Sequence, residues 1–164
     1  MFAELVTDGT RPGLRLQRRI GRPPDQVWTA LTDPERLADW LAPAEVDLKE
    51  GGRIAFRFPD GILNQGHIRR IEAPQLLEHT WSENEPPMSL VRWELAAAPD
   101  GCALVLTHSF HAPPPKWELV NAAATWHLML DRLPGAVAGH AQEWSPEEWQ
   151  ALHEGYAERL GEAR

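Results

Sequence analysis

PKWELVNAAATWHLMLDRLPGAVAG, residues 115–139, is the longest helix-like run in the chain, and its reading decides the fold. Leu119, Ala123, Trp126, Leu130, Leu133 and Val137 follow one another in steps of four, three, four, three and four. That spacing draws one apolar stripe along a helix, and such a stripe needs a broad partner surface. Upstream, between Leu14 and His111, five or six short segments alternate apolar and polar residues, the period of half-buried antiparallel strands. The expected class is α+β: a curved antiparallel sheet wrapped around one long helix, with a pocket in the gap between them. Pro134 and Gly135 predict a kink or break in that helix, because a proline lacks the backbone donor and crowds the carbonyl four residues earlier.

The chain divides into an extended lead-in at 1–13, a domain at 14–140 and a helical extension at 141–164. Thr10-Arg11-Pro12-Gly13 reads as a turn. Leu14–Arg22 reads as a strand with Arg18 on its apolar side, where the guanidinium reaches either water at the strand's end or a pocket. Pro23-Pro24-Asp25 opens a short helix, and Asp33-Pro34 closes it and caps a second one ending near Trp40. Strands follow at Glu45–Leu48, at Ile54-Phe56-Phe58, at Ile62–Glu72 with a bulge at Gly66, at Leu77-His79-Trp81, at Val91-Trp93-Leu95 and at Leu104-Leu106-His108-Phe110. Gly51-Gly52, Asp60-Gly61 and Asp100-Gly101 supply turns between them. Ser145-Pro146-Glu147-Glu148 starts a final amphipathic helix carrying Trp149, Leu152, Tyr156 and Leu160.

With 164 residues and 43% hydrophobic content the chain has enough material for one core. A formal charge of −8 argues against nucleic-acid binding and against an anionic membrane surface. No segment has the ~18–20 consecutive apolar residues that span a bilayer, and the opening residues carry no signal-peptide pattern. The one cysteine, Cys102, is placed at a turn; alone, it excludes an internal disulfide and fits a cytoplasmic location. No cofactor or metal is implied, since three or four ligands do not converge and Gly51-Gly52 lacks the strand–loop–helix setting of a phosphate loop.

The order strand, two short helices, hairpin strands and long helix resembles the helix-grip fold. Residues 23–40, PPDQVWTALTDPERLADW, resemble the opening signature of the family named after the activator of the heat-shock protein 90 ATPase, within the SRPBCC (START-related, polyketide cyclase and Bet v allergen-like) superfamily. Glu50-Gly51-Gly52, Ile71-Glu72-Ala73-Pro74 before Thr80-Trp81, Asp100-Gly101 before Leu104–His108, and Trp126-His127 with Leu130-Asp131-Arg132-Leu133 match the same pattern over residues 14–140. Leu41 after Trp40, where the family often pairs tryptophans, and Pro134 in the long helix depart from it. The resemblance implies a cavity, and a function only loosely.

On this reading Arg18, Trp40, Phe56, Phe58, His79, Trp81, Trp93, Leu106, His108, Phe110, Trp126, His127 and Leu130 are the cavity candidates. An apolar cavity with a few polar groups binds hydrophobic or aromatic small molecules. The competing reading is that these side chains only fill a core. His108 is either a ligand-orienting or acid–base group or a buried structural imidazole. His127 and Asp131, four apart on a helix, form half of a catalytic constellation or a surface pair, and no serine is assigned to them. Three functions stay open: a small-molecule binder without chemistry, a cyclase- or hydrolase-type enzyme using cavity histidines, and a co-chaperone-like interaction domain. Trp144 and Trp149 serve either a homodimer contact or the cap of the domain's own core.

Overall fold

The structure is a computed structural model that describes residues 1–162. Eight antiparallel strands form one curved sheet: β1 (Glu4–Asp8), β2 (Arg11–Ile20), β3 (Ala44–Val46), β4 (Arg53–Arg57), β5 (Leu63–Glu72), β6 (Leu76–Trp81), β7 (Ser89–Ala98) and β8 (Gly101–Ser109). Their order across the sheet is β1-β2-β8-β7-β6-β5-β4-β3. Four helices complete the fold: α1 (Pro24–Thr32), α2 (Pro34–Trp40), α3 (Lys116–Val137) and α4 (Pro146–Glu162).

The alternation seen in sequence becomes the inner face of the sheet. Leu14 and Leu16 on β2, His79 on β6, Val91, Trp93 and Leu95 on β7, and Leu104, Leu106 and His108 on β8 are all buried there. The β7–β8 register sets Trp93 opposite Leu106 and Val91 opposite His108; the β6–β7 register sets Leu77 opposite Trp93 and Trp81 opposite Ser89. Against this face lies α3, with Ala123, Leu130 and Leu133 wholly buried. Asp33 is extended at φ −84° and links α1 to α2, closing the first through Thr29 O and capping the second by accepting the Glu35 N–H.

Several sequence expectations need correction. The break expected at Pro134 does not occur: α3 continues to Val137, and its end is closed by the Ala138 N–H to Pro134 O and the His140 N–H to Gly135 O. A proline forfeits only its own donor, so the residues after it still bond backwards. The lead-in is not free chain: its residues 4–8 pair with β2, and the turn sits at Gly9-Thr10, where Gly9 takes φ 63°, instead of at residues 10–13. The bulge in β5 falls between Ile68 and Arg70, not at Gly66. Gly66 lies within β5, and a Cβ there would collide with the Thr80 carbonyl of β6, which is why that position carries glycine. Cys102 lies inside β8 and is fully buried instead of standing at a turn.

Candidate functional site

The space between the sheet and α3 is filled by rings. Trp81 is the centre of the group, with ring centroids 5.2 Å from Trp126, 5.4 Å from Phe56, 6.1 Å from His79 and 6.2 Å from His108 and from Phe58. Trp93 stands edge-on to Trp126 at 5.6 Å and to Trp40 at 5.9 Å. Phe110 stacks on His108 at 4.5 Å. These separations are those of touching aromatic rings. The open chamber expected from the sequence is therefore occupied by the protein's own side chains. Two cavities, of about 40 and about 200 Å³, lie at the margins of this layer, the smaller lined by residues such as Arg11, Thr80, Ser89 and His111, the larger by Pro43, Ala55 and Leu63.

The polar contacts within this group fix the state of both imidazoles. The Trp93 indole N–H donates to His79 Nε2 at 3.1 Å, and the Trp126 indole N–H donates to His108 Nδ1 at 3.0 Å. An indole can only donate, so each receiving nitrogen is bare. The proton of each neutral ring is then on the other nitrogen: His79 Nδ1–H donates to the Thr80 carbonyl at 3.1 Å, and His108 Nε2–H donates to Ser89 Oγ at 2.8 Å. Burial disfavours the charged rings and lowers their pKa from 6.5, to about 4 for His79 and about 3 for His108, the latter also repelled by His79. Ser89 beside His108 has the outline of a nucleophile and base. Yet the indole occupies the place a carboxylate takes in a catalytic triad and enforces the opposite tautomer, so His108 gives a proton to Ser89 Oγ in a hydrogen bond and cannot accept one from it.

Not every candidate joins this group. Leu106 and Leu130 are wholly buried core residues. Arg18 and His127 meet at a second junction, between α3, α4 and β2. There the His127 Nδ1 is 2.8 Å from the Tyr156 hydroxyl, which also accepts the Ala3 N–H at 2.6 Å. His127 Nε2 is 3.4 Å from Asp131, and Arg18 lies 3.3 Å from the same carboxylate while donating to the Met1 carbonyl. Burial pushes the Asp131 carboxyl up, but His127 and Arg18 outweigh it and hold it below its ordinary value; burial raises the Tyr156 hydroxyl. Phe2 packs edge-on against His127 and Tyr156, under the Arg159 guanidinium. Trp149 turns inward and donates to Thr125 Oγ1, so it caps the core, whereas Trp144 remains 43% exposed.

Ser89 and Tyr156 are the polar residues that sequence reasoning missed. Ser89 had a readable signal, since it shares the strand parity of Val91 and Trp93. Tyr156 was read as part of an apolar stripe, and nothing local marks the partners of its hydroxyl.

A curved sheet gripping a long helix around an aromatic layer defines a helix-grip protein. The chain belongs to the Activator of Hsp90 ATPase homolog 1-like protein family, whose model matches residues 22–138. Among solved structures, the crystal structure of CalU16 from Micromonospora echinospora is 29% identical with a TM-score of 0.75, over 95% of this chain and 96% of that one. A protein encoded by Bordetella parapertussis, BPP1335, is 26% identical with a TM-score of 0.71, over 90% of this chain and 86% of that one. DynU16, described as a protein in the dynemicin biosynthetic locus, is 25% identical with a TM-score of 0.74; it covers 80% of this chain and 49% of its own. No curated protein matches the chain. Among the described residues no helix is long and apolar enough to cross a membrane.

Proposed function

We propose that the protein binds a hydrophobic or aromatic small molecule between the sheet and α3, and that Trp81 gives way to admit it. One observation carries this reading. Of the four indoles in the aromatic layer, Trp40 is pinned to the Ala30 carbonyl, Trp93 to His79 and Trp126 to His108. Trp81 alone makes no hydrogen bond through its indole among the described residues, and it is only half-buried. The residue after it, Ser82, takes the left-handed conformation at φ 60°, which is uncommon for a non-glycine residue and clusters at clamps and switches. Trp81 is thus a ring-shaped plug held by dispersion alone, in a layer whose other indoles are fixed. Moving it outward leaves a flat apolar slot walled by Phe56, Phe58 and Trp126, the lining that suits an aromatic guest. The occurrence of DynU16 in a biosynthetic locus is consistent with a small-molecule ligand.

N-phenyl-1-naphthylamine, which fluoresces on entering an apolar site, tests the reading. The closed form reduces apparent affinity by the fraction of molecules that are open. Saturable binding to the natural chain is expected, tightened about tenfold or more by Trp81→Ala. Equal affinity in the two proteins, or no saturable binding in either, would overturn it.

A further inference from the structure

We infer that Ser89 is the polar handle of this slot, and that the ligand it selects is a planar apolar ring system bearing an acceptor oxygen such as a ketone. The inference rests on the reading above, since it places the guest where the Trp81 ring now lies. Ser89 is 7% exposed, and β6–β7 pairing sets it directly opposite Trp81. Its oxygen receives the His108 Nε2–H, an arrangement enforced from behind by the Trp126 indole. A hydroxyl carries one hydrogen of its own and accepts through its lone pairs. With His108 as donor, the Ser89 hydrogen remains, and no acceptor for it is found among the described residues. Buried polar groups are nearly always paired, so a spare buried donor marks a position where a partner belongs.

The other polar groups of the slot are already committed. The His79 ring accepts from Trp93 and donates to the Thr80 carbonyl. The His108 ring accepts from Trp126 and donates to Ser89. Once the Trp81 ring, with its own unpaired indole N–H, has moved aside, the Ser89 hydrogen is the uncommitted donor among the described side chains of the ring layer; it rewards a ligand acceptor, whereas a ligand N–H meets only the second lone pair of the same oxygen. The receipt of a hydrogen bond from His108 also polarises the hydroxyl and makes it a stronger donor.

Two naphthalene probes separate this inference from the reading it rests on. Prodan is a naphthyl ketone; N-phenyl-1-naphthylamine shares the naphthalene, adds a phenyl ring, and has one N–H and no oxygen. In Trp81→Ala, where truncation opens the slot, adding Ser89→Ala is expected to weaken prodan about tenfold, the value of one hydrogen bond to a buried acceptor, and to weaken N-phenyl-1-naphthylamine, which has no acceptor oxygen, far less. Ser89→Thr, which keeps the hydroxyl, restores prodan affinity. Nitrogen-15 NMR of the natural chain should find the His108 proton on Nε2. An equal effect of Ser89→Ala on both probes, no effect on either, absence of binding by both probes to Trp81→Ala, or a His108 proton on Nδ1 would each overturn the inference. Prodan discrimination in Trp81→Ala without any binding to the natural chain would instead defeat the opening of Trp81 and leave the Ser89 assignment standing.

Discussion

The Tyr156 hydroxyl on α4 meets His127 Nδ1 on α3 at 2.8 Å, and through it the last helix and the first three residues are tied to the body of the domain. Tyr156 is completely buried, and its oxygen also receives the Ala3 N–H. Tyr156→Phe keeps the ring and removes the oxygen, leaving a backbone donor and a ring nitrogen unpaired. The expected cost is about 1–3 kcal/mol, the usual range for orphaning buried polar partners. Urea unfolding checks it: the midpoint should fall while the slope stays constant.

The neutral histidines make stability depend on pH. The unfolded chain protonates His79 and His108 below pH 6.5, whereas the folded protein keeps them neutral down to about 4 and about 3. Protons therefore bind preferentially to the unfolded chain across this window. The contribution is fully present above pH 6.5 and is lost as pH falls towards the folded values. One pKa unit is worth about 1.4 kcal/mol, so the two rings together contribute on the order of several kcal/mol. Unfolding free energies measured from pH 7 to pH 4 should decline, and His108→Gln, which cannot take up a proton, should flatten the decline. A flat profile in the natural chain would contradict the assignment of neutral, hydrogen-bonded rings.

Much of this arrangement was legible in the sequence because it follows from periodicity. The 3.6-residue stripe of Trp126, Leu130 and Leu133 and the two-residue alternation of Leu77, His79 and Trp81 each specify a face without reference to the rest of the chain. What was not legible depends on register. The Trp93–His79 bond requires knowing that Leu77 lies opposite Trp93, and the His108–Ser89 bond requires knowing that Val91 lies opposite His108. The filling of the chamber was equally out of reach, since alternation shows that a ring points inward but not whether it meets another ring or a void. Glu4–Asp8 was missed as a strand because ELVTD is short, lies at the sheet's edge and shows no clean alternation. Strand parity offers Arg18 water or a pocket; the structure pairs it with Asp131, 113 positions further along.

The four indoles should differ in what they contribute to stability. Trp93 is 3% exposed and hydrogen-bonded, so Trp93→Ala creates a cavity and orphans His79 Nε2. Large-to-small changes of buried aromatics cost about 3–5 kcal/mol, and the lost partner adds to that. Trp81→Ala should cost clearly less, because its ring is only partly buried and its indole N–H gives up no bond to protein. Thermal unfolding of the two variants side by side decides this. An equal loss would mean that Trp81 is as fixed as its neighbours and is no plug.

A methyl group added at Gly66 should displace the strand that carries Trp81. Gly66 on β5 lies so close to β6 that an added methyl group would strike the Thr80 carbonyl, one residue before Trp81. The Thr80 side chain is held from the same side: its hydroxyl donates to Glu83 at 2.5 Å and receives the His67 N–H at 2.8 Å. Gly66→Ala must therefore separate β5 from β6 locally, because a backbone carbonyl cannot swing away as a flexible side chain would. Overpacking of this kind costs about 1–3 kcal/mol. If Trp81 is the movable element, the same change should loosen it. The intrinsic fluorescence of the chain, read in a background with the exposed Trp117 and Trp144 replaced by phenylalanine, should gain a red-shifted, iodide-accessible component that is absent when Trp81→Phe is added. N-phenyl-1-naphthylamine should at the same time bind more tightly than to the natural chain. Destabilisation without either optical change would show that β6 and Trp81 move independently.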